Sequence, residues 1–290
     1  MRAVSSRSRW LLAIAIALGI LLPPCVLGAW AFWLEPASLR TAEYRLALPH
    51  WPAACSGLRV AVLADLHVGS PWNGLDNLAR VTAAVRAAKP DLVLLAGDYV
   101  IRDVRGGKFV APEEIAPRLA RLGAPLGRYA VLGNHDWWVD GPRVRRALEA
   151  NGTPVLEDSA VRVARGDCAF WIAGVSDLWE GRHDVAGALS GVPPDAAVLV
   201  LTHNPDLFPR IPERVSLTIA GHTHGGQVYI PFVGRPIVPS RYGERFAIGS
   251  IVEDGRHLFV SPGIGTSILP VRFLVPPEIS LLSLVSDGSR

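Results

Sequence analysis

The chain holds only three cysteines in 290 residues, Cys25, Cys55 and Cys168, and no Cys-x-x-Cys pair. At that spacing neither a disulfide framework nor a thiolate zinc site is expected. Dense lysine or arginine runs are missing too, the formal charge is only +3, and no basic stripe alternates with aromatics. This argues against nucleic acid as a partner. Internal repeats and low-complexity stretches are absent, which leaves solenoids and disordered tails out of account. What is plentiful is apolar: half of the residues are hydrophobic, enough to bury a sizeable core in one large domain with an appendage.

From Trp10 to Leu34 the run WLLAIAIALGILLPPCVLGAWAFWL contains no charge. A hydrocarbon layer needs roughly 20 apolar residues, so the run predicts a transmembrane helix. Membrane helices tolerate prolines such as Pro23 and Pro24, and Trp10, Trp30 and Trp33 sit near its ends, where amphipathic rings favour the interface. A cleaved secretory signal is the alternative, with Arg2, Arg7 and Arg9 as its basic region and VLGAWA as the small-residue site. The run exceeds the roughly 7–15 residues of a signal core, which favours an uncleaved single-pass anchor. No twin-arginine pair is present, and LPPC is a poor lipobox. Three arginines precede the run, whereas Glu35, Arg40, Glu43 and Arg45 follow it. By that margin of one arginine the main domain is expected outside, periplasmic if the membrane is a bacterial inner membrane. Residues 1–40 are then a basic segment and anchor, 41–57 a linker, and 58–290 the main domain.

Beyond Leu58, short apolar runs alternate with helical patterns. LRVAVLADLH, DLVLLAGD, RYAVLGNHD, AAVLVLTHNPD and SLTIAGHTHGG read as strands, and each closes on His, Asp or Asn. NGLDNLARVTAAVRAAK, PEEIAPRLARLG and GPRVRRALEANG carry apolar residues at helical spacing. AVRVARGDCAFWIAGVSD predicts two strands joined at Gly166-Asp167, and the Gly/Pro-rich tail predicts more strands and loops. The pattern is that of a layered α/β sandwich, in which ligands gather at the carboxyl ends of strands.

On an extended segment, residues two apart point the same way. Asp65 with His67, and His222 with His224, could therefore each aim at one locus, with glycines at 221, 225 and 226 allowing sharp turns. Adding Asp98, Asn134 and His203 gives seven candidate ligands: two carboxylates, one amide oxygen and four imidazoles. That is too many for one tetrahedral zinc and suits two divalent ions sharing a carboxylate. A mixed O/N set without thiolate points to Mn, Fe, Zn or Co and does not choose among them. Two such ions, roughly 3.5–4 Å apart, lower the pKa of a water and clamp the oxygens of an in-line displacement. Phosphoester or pyrophosphate hydrolysis by metal-activated hydroxide follows as the natural reaction. His135 is placed to stabilise the phosphoryl oxygens or to protonate the leaving group, and Asp136 to orient His135.

The ordered blocks Asp65-x-His67, Gly97-Asp98, Gly133-Asn134-His135-Asp136, His203 and Gly221-His222-x-His224 resemble the signature of the calcineurin-like metallophosphoesterase superfamily. The resemblance implies an α/β/β/α sandwich. It assigns Asp65, His67, Asp98 and His224 to one metal, Asp98, Asn134, His203 and His222 to a second, and a catalytic role to His135. The apolar N-terminus, THNPD and SPGIGTSILPVRFLVPPEISLLSL are similar to its membrane-associated bacterial branch. That branch includes phosphodiesterases and enzymes that hydrolyse UDP-2,3-diacylglucosamine in lipid A synthesis, so the resemblance implies a phosphorylated substrate, with a lipid-linked one as the expectation. Three alternatives stand beside this: a phosphomonoesterase on soluble substrates, a non-catalytic metal-binding scaffold, and a metallo-β-lactamase-type hydrolase. The last would need an early HxHxDH block, whereas the HxH here is late and followed by Gly-Gly. His50, His183 and His257 are read as ordinary surface or core residues, and Asp103, Asp158 and Asp177 as caps or turns. Trp72, Trp137, Trp138 and Trp179 are read as loop packing or a docking rim, and Arg235, Arg241 and Arg245 as candidate phosphate contacts.

Overall fold

A computed structural model of the chain describes residues 6–288. Arg2 of the basic segment lies outside them. The first helix, α1 (Ser6–Ala29), continues as a π-helical turn over Trp30–Leu34. Its portion Ala13–Leu34 is 22 residues long, apolar enough to cross a membrane and 0% buried.

The main domain is built from eleven strands and four further helices. In the first half lie β1 (Arg40–Leu48), β2 (Leu58–Leu63), α2 (Leu75–Ala88), β3 (Leu92–Leu95), α3 (Pro112–Leu119), β4 (Arg128–Ala130) and α4 (Asn134–Ala150). In the second lie β5 (Ser159–Arg165), β6 (Cys168–Val175), α5 (Val185–Leu189), β7 (Val198–Thr202), β8 (Leu217–Ala220), β9 (Gly249–Glu253), β10 (Arg256–Val260) and β11 (Glu278–Ser286). One sheet has the order β1-β11-β2-β3-β4, the other β5-β6-β7-β8-β10-β9. In the first, β2, β3 and β4 are parallel; in the second, β6, β7, β8 and β10 are. Such runs are buried on both faces and read as continuous Val/Leu/Ile. Alternate residues of these strands serve different layers. Val60, Val62, Leu94, Leu199, Leu201 and Ile219 meet between the sheets. Leu63, Val93 and Leu95 pack outward against Val81, Ile115 and Leu148 of α2, α3 and α4, and Val198 and Val200 against Leu189 of α5. The layers run helix, sheet, sheet, helix, and the parallel strands of each sheet end at one edge.

Two expectations are corrected. Residues 41–57 are not a linker over their first half: Arg40–Leu48 is an edge strand in parallel register with β11, from Arg40↔Glu278 to Leu48↔Ser286. The alternation that buries Leu46 and Leu48 and exposes Arg45 and Ala47 is the period of a half-buried strand. Cys55 and Cys168 form a disulfide, with Cα atoms 4.7 Å apart. Cysteine spacing carries no signal for a pair 113 residues apart that only sheet packing brings together. The bridge ties the turn before β2 to the start of β6, one strand from each sheet. Cys25 is free and exposed on α1.

Candidate metal centre

Every candidate ligand follows a strand of the central sheets, but the backbone does not present them as an extended segment would. Asp65, His67, Asp98, His222 and His224 have φ of 50°, 41°, 57°, 71° and 52°. They sit in the left-handed region, where a non-glycine residue costs on the order of 1–3 kcal/mol and persists only if its surroundings hold it. The side chains converge because each chain turns sharply at the strand end, not because residues two apart share a strand face.

Hydrogen bonds supply the holding. Asp65 and His67 donate their N–H groups to the carbonyls of Gly97 and Asp98, at 3.0 and 2.9 Å. The Asp65 carboxylate accepts the N–H of His222 at 3.0 Å. Gly97 has φ +91°, and a Cβ there would lie 2.6 Å from the Gly133 nitrogen. No larger residue fits between these loops. Asp136 was expected to orient the ring of His135; its carboxylate instead accepts the N–H groups of Asp98, Tyr99, Gly133 and Val100, at 2.8, 2.9, 2.9 and 3.3 Å. It positions the loops that carry Asp98 and Asn134. Burial, followed by the charge of Asp98, pushes its carboxyl up to about 7, and the N–H groups of Gly133, Tyr99 and Val100 pull it back.

The donor atoms of all seven candidates are brought together, and each residue is less than 6% exposed. His67 Nε2 lies 3.1 Å from His224 Nε2 and 3.4 Å from Asp98 Oδ2, and His224 Nε2 lies 3.5 Å from Asp65 Oδ1. On the other side, His203 Nε2 lies 3.1 Å from Asn134 Oδ1, 3.2 Å from His222 Nδ1 and 3.3 Å from Asp98 Oδ2. Asp98 Oδ2 thus faces one histidine from each group, while Oδ1 accepts the N–H of His135 at 2.8 Å.

The tautomers follow from the far sides of the rings. His203 Nδ1 is 2.7 Å from the Ala96 carbonyl and His67 Nδ1 3.3 Å from that of Val100. A carbonyl only accepts, so both Nδ1 atoms carry hydrogen and both Nε2 atoms are directed at the centre, as metal-ligating imidazoles are. Burial depresses His67 and His222 to about 3, and His224 well below the ordinary value. Burial opposes charge on His203 as well, but the Asp98 carboxylate outweighs it and raises that imidazole. Asp98 is itself held well below the carboxylate range: burial works against its charge, and His203 and His135 overcome it. Burial pushes Asp65 up to about 7.

These residues fit divalent cations. Ring nitrogens 3.1–3.2 Å apart, His67 Nε2 from His224 Nε2 and His203 Nε2 from His222 Nδ1, are at the separation of two ligands each about 2.1 Å from one ion. The imidazoles of His67, His222 and His224 are neutral, the form that ligates. His/Asp triads such as Asp65, His67 and His224, and Asp65, Asp98 and His203, keep their ligand atoms within 4.8 Å of one another.

The centre is the floor of a cleft of ≈ 540 Å³. His135 lines it with its ring edge-on to His67, 4.6 Å between centroids, and Nε2 3.5 Å from the Ser267 hydroxyl. Burial lowers its pKa, so the ring is neutral near pH 7. Trp138 and Trp179 form part of the rim, their rings stacked at 6.1 Å. Trp137 instead packs into the core beneath α4, and Trp72 turns toward the N-terminal helix, donating to the Phe32 carbonyl at 3.0 Å. Asp177, set aside as a turn residue, caps the loop that presents Trp179, accepting its N–H at 2.8 Å. The three arginines after the last block are engaged elsewhere: Arg235 with the Gly225 carbonyl, Arg241 with Asp206 and Arg245 with Glu253. Sequence reasoning missed Arg102, Gln227 and Ser267, which line the cleft along with Asp103. Only Asp103 had been considered, as a turn residue, and no local pattern marks the other three.

Two sheets whose strand ends deliver His, Asp and Asn donors to one buried locus, beneath an open cleft, define a metal-dependent hydrolase of phosphoric esters. The chain belongs to the calcineurin-like phosphoesterases, whose family pattern matches residues 58–226. It is 34% identical to "Phosphodiesterase YaeI" of Escherichia coli over 87% of this chain and 91% of that protein. It is 31% identical to "Uncharacterized metallophosphoesterase YkuE" of Bacillus subtilis, over 89% and 90%. A third relative, at 26% identity over 91% and 94%, is "UDP-2,3-diacylglucosamine pyrophosphatase LpxG" of Chlamydia trachomatis.

Proposed function

We propose that the chain is a membrane-anchored phosphoesterase with a two-ion centre, hydrolysing a phosphodiester or pyrophosphate bond in a lipid-linked substrate. The observation that carries the two-ion reading is Asp98, one carboxylate oxygen between His67 and His203 at 3.4 and 3.3 Å. Asp65, His67, Asp98 and His224 would hold one ion, and Asp98, Asn134, His203 and His222 the other. Bound there, divalent ions supply a Lewis acid and an activated water. The chain's own residues do the rest. His135, neutral and facing the cleft, donates a hydrogen bond from its ring N–H to the phosphoryl oxygens as charge develops there. Asp136 keeps the two loops in register, and the Trp138–Trp179 rim excludes water from one side.

Anchoring is supported by the uncovered apolar helix Ala13–Leu34. The lipid-linked class is supported by that helix and by the name of the LpxG relative, and the phosphodiester by the name of the YaeI relative. The Cys55–Cys168 bridge favours the periplasmic or extracellular side, since disulfides persist in oxidising compartments. That side favours an outward-facing lipid phosphodiester over a nucleotide-activated sugar lipid of the cytoplasm such as UDP-2,3-diacylglucosamine. The test is hydrolysis of bis(p-nitrophenyl) phosphate and p-nitrophenyl phosphate by the full chain with Mn²⁺, and again after chelation. Metal-dependent turnover with the diester preferred is expected. Full metal loading without turnover of either ester, or of any lipid phosphoester, would leave the scaffold reading in its place.

A further inference from the structure

One wall of the cleft turns outward into a cluster of exposed apolar side chains. Ile237 and Ile268 belong to both, lining the cleft while 76% and 71% exposed. Next to them, a hairpin closed by paired Ile230 and Gly234 backbone bonds of 2.9 Å carries Phe232 and Val233 at its tip, 107% and 70% exposed. Turn tips are normally polar, and a rigid tip that holds a phenyl ring wholly clear of the protein marks an interaction surface.

This surface is fastened to the end of the apolar helix. The hairpin stem bonds to Phe273, Tyr229 N–H to its carbonyl at 2.8 Å and its N–H to the Gln227 carbonyl at 2.9 Å. The neighbouring Arg272 N–H donates to the Ala31 carbonyl at 2.9 Å. The Glu35 carboxylate, at the foot of the helix, accepts the N–H groups of Leu274 and Val275 at 2.9 and 2.6 Å. Main chain and one buried carboxylate therefore lock the hairpin beside the last helical turn. Exposed Arg105, whose N–H bonds the Ile268 carbonyl at 2.9 Å, flanks the patch, where a cation meets anionic headgroups.

We propose that this patch, from Phe232 and Val233 to Ile237, Ile268 and Leu274, inserts into the headgroup–acyl boundary of the bilayer that the helix crosses. The cleft then opens onto the lipid surface, and a lipid-borne phosphoester reaches the centre along the Ile237–Ile268 wall. The inference rests on reading Ala13–Leu34 as a membrane span. Amphipathic surfaces of this kind seat their apolar groups about 5–10 Å into the interface.

The test uses the full chain with Cys25→Ala, so that the Cys55–Cys168 bridge leaves no other thiol, in nanodiscs of phosphatidylethanolamine and phosphatidylglycerol. Single substitutions Phe232→Cys, Ile268→Cys and, at the opposite end of β7, Asp195→Cys carry an environment-sensitive fluorophore. Labels at 232 and 268 are expected to shift to the blue and to be quenched several-fold by spin-labelled lipid, with the label at 195 indifferent. A label at 232 as wet as that at 195, or shielded by dimerisation without lipid quenching, overturns the proposal. As a second readout, Phe232→Asp with Val233→Asp is expected to leave bis(p-nitrophenyl) phosphate hydrolysis unchanged. It should cut hydrolysis of a vesicle-borne phosphatidyl p-nitrophenol roughly tenfold. Equal rates on both substrates would overturn lipid-side entry. If the unsubstituted chain cleaves neither, the phosphoesterase proposal fails and lipid quenching still decides this one.

Discussion

On the floor of the cleft, His67, Asp98 and His203 are at most 2% exposed, held in place by buried hydrogen bonds and, at His67 and Asp98, by left-handed backbone. Along the wall, Ile237 and Ile268 are more than two-thirds exposed on a Gly/Pro-rich chain. The floor gathers polar groups away from water, and the wall presents apolar groups to it. Each arrangement is unfavourable alone and becomes favourable with a counterpart of opposite character: cations for buried donors, an apolar phase for exposed side chains. One cleft therefore joins two surfaces, each complementary to something other than protein.

The largest effect should come from the floor. Asp98→Ala removes the carboxylate between the two histidine groups, and diester turnover is expected to fall roughly 10³-fold or more. Bound metal, measured by mass spectrometry, should fall with it. Retained turnover would place the shared ligand elsewhere. His135→Ala is expected to lower kcat by about 10²–10³-fold while metal content is unchanged, which separates His135 from the ligands around it. Parallel loss of metal would instead make His135 a ligand.

Asp136→Asn tests the support beneath the floor. An amide cannot accept from four N–H groups at once, and leaving buried donors unpaired costs roughly 1–3 kcal/mol each. Stability by urea unfolding is expected to drop by about 3 kcal/mol, and an unchanged midpoint would remove Asp136 from the scaffold. Further back, Glu157 accepts the Leu132 N–H at 3.2 Å, and burial pushes its carboxyl up to about 7 from 4.5. A raised folded-state value means that the folded chain binds the extra proton. The contribution is fully present below about pH 4.5 and is lost as pH rises through about 7. Glu157→Gln should abolish that decline, gaining on the unsubstituted chain by up to about 3 kcal/mol across the window. Parallel stability curves would refute it. At the small end, Phe232→Ser should leave metal content and soluble-diester turnover unchanged and shift stability by no more than about 0.5 kcal/mol. Any larger change would mean that the wall supports the floor.

How much could be read from the sequence divides along the same line. The ligands were legible because a buried parallel strand is a short apolar run, and each run here is punctuated by His, Asp or Asn at its carboxyl end. The helices α2, α3 and α4 and the hairpin at Gly166-Asp167 were legible from local period as well, whereas the single-turn α5 was not. What was missed depends on residues far apart in the chain. Nothing near Cys55 announces Cys168, and nothing near Glu35 announces the N–H groups of Leu274 and Val275. The side-chain directions at Asp65, His67, His222 and His224 were inferred from strand geometry, and left-handed turns deliver the same convergence by another route. Asp136 illustrates the limit best. Its position beside His135 suggested a partner for the ring, whereas the fold directs its carboxylate to backbone on two loops.

The pairing of β1 with β11 bears on how the chain is made. Arg40 and Glu278 are 238 residues apart, yet the Arg40 guanidinium bonds the Glu278 carboxylate at 2.7 and 3.0 Å. β11 also lies between β1 and β2 in the sheet. During synthesis the segment nearest the helix emerges early and waits for the strand that emerges late. Contacts of such separation slow folding, and the unpaired edges of β1 and β2 invite wrong pairing in the interval. On the proposed anchoring, the helix would already be held by a membrane and the waiting edge would stay tethered to a surface, apart from other nascent chains, until its partner arrives.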